Sequence, residues 1–205
     1  KDFIFDTIIF GPKKMDFPTY KFLCQAATFI GVETTFCGDE FPFIVQNRTM
    51  AGQFSAHVMT SIISGFIISF PYILYEFWKF ISPGLLEKEK AKSRGFIFVS
   101  SMLFFIGVLF GYYIISPLSI NFLGTYQVSS QVLNEIDLGS FISLVRSSAI
   151  ASGIIFELPI IIYFLTKAGV VTPESLVKYR KYALVLVLVL AAIITPPDVA
   201  SQIIV

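Results

Sequence analysis

Two long intervals of this sequence carry no charged side chain. No Asp, Glu, Lys or Arg occurs between Arg48 and Glu76, and none from Gly95 to Asn134. A helix in water needs a polar face, and these intervals supply almost none. Within them Val58–Leu74 and Phe96–Leu118 approach the roughly 20 apolar residues that cross a bilayer. A third apolar stretch, Phe141–Leu165, is broken by Arg146 near one end and Glu157 deep inside. A fourth, Tyr182–Thr195, is only about 14 residues, or roughly 21 Å. It should thin the bilayer or lie beside a longer neighbour. A fifth begins at Val199, and the opening KDFIFDTIIF reads as the exit from an earlier span. Composition agrees: 55% of the 205 residues are hydrophobic and 14% charged, against roughly 25% charged in soluble domains. Mean hydropathy is +0.78. The expected fold is all-α, a polytopic transmembrane helix bundle.

The partition that follows is one membrane domain. Residues 1–53 end the first span and form an outer loop. Spans occupy 54–82, 96–121, 141–166 and 182–195, with a last one starting at 199–205. Connections are 83–95, 122–140, 167–181 and the short turn 196–198. No signal-peptide pattern stands at Lys1 and an apolar run continues to Val205, so the sequence reads as an internal piece with flanking spans outside it. Basic residues set the orientation. Lys88, Lys90, Lys92 and Arg94 lie in one loop, and Lys167, Lys178, Arg180 and Lys181 in another. The loop between Phe122 and Phe141 has only Glu135 and Asp137, and the TPPD turn has no cation. This alternation puts 84–95 and 167–181 in the cytoplasm. The N-terminal loop then faces outward despite Lys13, Lys14, Lys21 and Arg48, because longer loops weigh less.

Several residues break membrane rules. Pro71, Pro117 and Pro159 each remove a backbone donor and bend their helix, which suggests a curved, open bundle. Glu157 sits where an ionised carboxylate costs several kcal/mol. It serves either as a relay or binding acid, or as a protonated group bonded to a carbonyl freed by Pro159. Arg146 can snorkel outward or pair with Asp137. Ser148, Ala149, Ser152 and Gly153 repeat at four-residue spacing, suited to close helix packing. Tyr72, Tyr75 and Trp78 suit an interfacial aromatic belt, and His57 a packed or interfacial position. Cys24 and Cys37 leave two readings open, a disulfide in an oxidising compartment or two unpaired thiols. With one His no metal site is expected. Phosphate-loop and nucleophile-elbow motifs are missing, so neither an enzyme nor a cofactor is expected. Scattered basic residues argue against nucleic acid.

The block FPYILYEFWKFISPGLLEKE at 70–89, with IIFELP at 154–159, VTPESLVKYRKY at 171–182 and ITPPDVASQ at 194–202, resembles the TatC family. TatC is the multispanning core of the twin-arginine protein translocase. The resemblance implies six helices in a concave, glove-like wall, with both termini cytoplasmic, in a bacterial cytoplasmic (inner) membrane. The second to fifth helices would be present here. It implies a receptor that binds twin-arginine signal peptides of folded precursors, and that joins TatA- and TatB-type single-span subunits in an oligomeric complex driven by the proton-motive force. By motif, Phe80 and Glu89 match the region tied to arginine recognition, and Pro83 and Gly84 shape that loop. Glu157 matches the acid of the concave face. Thr195, Pro196, Pro197, Asp198 and Gln202 match the outer turn and last helix that dock the single-span partners. The competing reading is a proton-coupled small-solute transporter titrating Glu157; it would need a midplane substrate site and preferably an internal repeat. A purely structural anchor would leave the buried acid without a task.

Overall fold

The computed structural model describes residues 3–30, 37, 41–82, 94–127, 129, 134–167 and 171–194. Among them three helices are long and apolar enough to cross a membrane: Gly52–Ile81, Ile97–Thr125 and Leu138–Thr166. Only 11% of the most apolar window of the first is buried inside the protein. Much of the rest is exposed apolar side chain, such as Ile62, Phe66 and Ile68, that water cannot favourably cover, so the chain is a multi-pass membrane protein.

The chain opens with a π-helical segment, Phe3–Ile9, and a short 3-10 turn, Gly11–Lys13. Helix α1 follows at Pro18–Ile30, strand β1 at Ile44–Gln46 and α2 at Gly52–Ile81. Helix α3, Arg94–Phe110, runs through a π-turn at Gly111–Ile115 into α4, Ser116–Thr125. Strand β2 at Glu135–Asp137 leads into α5, Leu138–Lys167, and α6 spans Pro173–Ile194. Thr172 starts α6 by accepting the Ser175 N–H on its hydroxyl at 3.3 Å, with Pro173 at the first helical position. The basic segment 173–181 is therefore helical and continuous with the apolar stretch after it, giving about 33 Å of helix.

Proline explains the π-turn. Pro117 has no N–H to give the Tyr113 carbonyl four residues earlier. The Ser116 N–H instead reaches back to Gly111 O, widening the turn. The freed Tyr113 carbonyl accepts the Thr19 hydroxyl from α1. Next to it Tyr20, wholly buried, holds its hydroxyl 2.9 Å from both Pro12 O and Pro117 O. Burial pushes its phenol pKa up, so the group stays a neutral donor. Tyr20→Phe is expected to cost about 1–3 kcal/mol, because it removes the one buried O–H donor shared by these two carbonyls. The check is the thermal midpoint of the detergent-solubilised protein, and an unchanged midpoint would mean the carbonyls find other donors.

The two loops at this end are tied together. Strands β1 and β2 pair in parallel, Ile44 opposite Glu135 and Gln46 opposite Asp137. Arg48 bridges to Glu135 at 3.1 Å. Asn134 donates its amide to Gly124 O and Tyr126 O, closing the end of α4. Beneath them Ile9, Phe43, Ile120, Phe141, Ile142 and Val145 form the buried core. The strands are a local addition to an all-α polytopic helix bundle. Cys24 and Cys37 form a disulfide in the same region.

The spans pack through small residues. Gly107 and Gly111 face the α5 backbone at Ser148, Ala149, Ser152 and Gly153. This is the close approach that the four-residue spacing on α5 predicts. Further along, Phe70 of α2 stacks on Phe104 of α3, with ring centres 3.6 Å apart. Trp78 of α2 meets Phe164 of α5 edge-on. These rings join α2 to the α3–α5 pair.

Candidate functional site

The site grows from the α3–α5 contact. Because Gly107 and Gly111 let the two backbones meet, the residues one to two turns closer to Arg94 are held near α5 as well. Ser100 is there, 1% exposed, and its hydroxyl donates to Glu157 Oε2. Glu157 itself is buried at 6% exposure. The Phe104 backbone N–H faces the same carboxyl, yet by hydrogen-bond geometry Oε1 is left without a partner among the described residues. The carboxyl thus turns toward α3, and its hydrogen-bonded partner is Ser100 rather than a carbonyl freed by Pro159. Ser101 and Ser152 also bury hydroxyl oxygens without a partner. The arrangement is a polar seam in an apolar bundle, with one carboxyl oxygen buried and without a hydrogen-bond partner among the described residues.

Along α5, Glu157 lies ten residues before Lys167, about 15 Å from that end. Phe80 stands in the last turn of α2, 84% exposed, beside a Lys79–Glu76 pair at 4.0 Å. Tyr72 and Tyr75 are exposed at the same end. No contact joins Phe80 to Glu157; they are an exposed aromatic at the mouth and an acid farther in. Pro83, Gly84 and Glu89 lie outside the described residues, as do Thr195, Pro196, Pro197, Asp198 and Gln202.

Sequence reasoning missed Ser100. Its signal was present, since adjacent serines in FVSSML are polar groups in an otherwise apolar span. At the opposite end Arg146 does not pair with Asp137. Asp137 instead accepts the Gly139 and Ser140 N–H groups, at 2.9 and 3.3 Å, as the cap of α5. His57 stacks on Phe5. No group of His, Cys, Asp and Glu able to hold a metal occurs among the described residues.

Comparison with known proteins gives this geometry its context. The family profile TatC, Sec-independent protein translocase protein, matches residues 3–205. A protein of that name from Blattabacterium sp. subsp. Periplaneta americana is 46% identical over 206 residues, covering 100% of this chain and 77% of the relative. The one from Helicobacter pylori (strain 26695) is 42% identical over 146 residues, 71% of this chain and 57% of the relative. A crystal structure of the twin-arginine translocase receptor TatC in DDM superposes with a TM-score of 0.66 at 34% identity. It covers 97% of this chain and 86% of that one. The match over nearly the whole sequence and the shared helical architecture place the chain in the TatC family of protein translocase components.

Proposed function

We propose that this chain forms the receptor core of a twin-arginine translocase, in which a signal peptide enters along the α2 mouth toward Glu157. The observation that carries this reading is the buried Ser100–Glu157 pair, with Oε1 lacking a hydrogen-bond partner among the described residues, in a chain 34% identical to the twin-arginine translocase receptor TatC. An acid kept at such a depth is costly, and a donor carried in by a bound segment would offset that cost. Glu89 and Phe80 take the arginine-bearing end of the peptide, since a carboxylate holds a guanidinium in a two-bonded fork. Pro83 and Gly84 shape that loop. Residues 84–95 and 167–181 face the cytoplasm of a bacterium, and the membrane is the inner one. The tied outer loops and their disulfide support this orientation, because disulfides persist in oxidising compartments. Thr195, Pro196, Pro197, Asp198 and Gln202 dock TatA- and TatB-type single-span subunits in an oligomeric assembly.

The test is site-specific photocrosslinking of a twin-arginine precursor to positions 80–92 of the full-length protein. Crosslinks should appear there and fall at least about tenfold in Glu89→Gln, roughly the loss of one charge-assisted pair. Undiminished crosslinking by a normally inserted Glu89→Gln protein would remove Glu89 from recognition.

A further inference from the structure

At the end opposite Phe80 a recess of about 630 Å³ opens between the first segment, α2, α3 and α5. Its wall is mixed in a particular way. Ile63, Ile67 and Leu109 make one side apolar, while Lys14 and Arg146 stand in the same lining. Thr60 adds a buried hydroxyl without a hydrogen-bond partner. Arg146 is half-buried, eight residues into α5, about 12 Å from its start. It also lines a second recess of about 360 Å³ at the start of α2.

A guanidinium at that depth needs an anion. Among the described residues it forms no ion pair, and the acids of this end are engaged or lie outside the lining. Asp16, in the same lining, pairs with Lys21. Glu135 pairs with Arg48, and Asp137 caps α5. Asp6 is exposed and outside the lining. The anion must therefore come from the surroundings. At a bilayer interface, beside an apolar wall, the chemistry that fits both halves is a phosphodiester carrying acyl chains.

We propose that Arg146 and Lys14 hold the phosphodiester of a phospholipid in this recess, with an acyl chain along Ile63, Ile67 and Leu109. The site is separate from the Ser100–Glu157 seam and uses none of its residues. The bound lipid neutralises Arg146 and fills the space between the first segment and the spans.

Native mass spectrometry of the full-length protein released from detergent tests this. Phosphatidylglycerol should be retained about tenfold better than diacylglycerol with the same chains, the scale of one charge-assisted contact. Arg146→Gln and Lys14→Gln should each remove most of that preference, and Arg146→Lys should keep much of it. Lys14 is exposed and outside the helices, so its variant reads out even if Arg146→Gln does not fold. Inorganic phosphate in millimolar amounts should not displace the lipid. Equal retention of the two lipids overturns the proposal, and so does a preference that survives both substitutions. Displacement by phosphate alone would replace it with a free-anion site.

Discussion

Gly111→Leu should separate α3 from α5 and destabilise the protein by about 3 kcal/mol or more, the upper range for overpacking. A Cβ at Gly111 would stand 2.3 Å from Ser148 O and 2.8 Å from Ala149 Cα. Both are backbone atoms of a packed helix, so no side-chain rotation makes room. Gly107 meets the same helix one turn away, 2.7 Å from Ser152 O and 2.9 Å from Gly153 Cα. In lipid such contacts matter more than in water, since helix association rests on close packing. Gly65 is the internal control. Nothing lies within 4 Å of its added Cβ, so Gly65→Leu should leave folding nearly unchanged. The comparison is the thermal midpoint and monodispersity of the full-length variants in mild detergent. Equal behaviour of the Gly111 and Gly65 variants would show that the α3–α5 approach is not needed.

The same contact marks what a sequence reader can and cannot extract. Ser148, Ala149, Ser152 and Gly153 announce a close-packed face by their spacing, because small residues at helical period have few other uses in a span. Gly107 and Gly111 carry the matching GxxxG pattern, yet nothing local says that these two faces meet. Pro117 likewise guarantees a carbonyl without its usual donor. That Thr19 supplies one depends on how α1 folds over the bundle. The strands were not legible at all. Three-residue pairs such as Ile44–Gln46 with Glu135–Asp137 have no periodicity to detect, and their partners are 91 positions apart. Charges misled in one place. Asp137 stands near Arg146 in sequence, but a helix start needs a cap, and two backbone donors bind it instead. The buried acid was visible from the cost of placing a carboxylate in lipid. Its partner was marked only as one of two adjacent serines, and the pairing itself was not legible, because a serine in a span can satisfy itself on its own helix.

That property of serine makes the site's second large effect predictable. Glu157→Leu should raise the thermal stability of the full-length protein by about 1–3 kcal/mol while lowering precursor crosslinking at least tenfold. Leucine is near glutamate in volume and removes a buried carboxyl whose Oε1 has no partner, and such groups weigh against stability in an apolar setting. Ser100, released from Glu157, can turn its hydroxyl to the carbonyl four residues back, as serines in helices do. The bundle therefore loses little and sheds a desolvation cost. A bound peptide that reaches this depth loses the Glu157 carboxyl as its acceptor. Ser100→Ala separates the two contributions: it removes the donor to Oε2 but leaves the acid, so precursor binding should persist while stability falls slightly. A protein that is destabilised by Glu157→Leu yet crosslinks its precursor normally would make Glu157 a packing residue. A gain in stability coupled to loss of binding is the signature of a group held at a cost for its ligand.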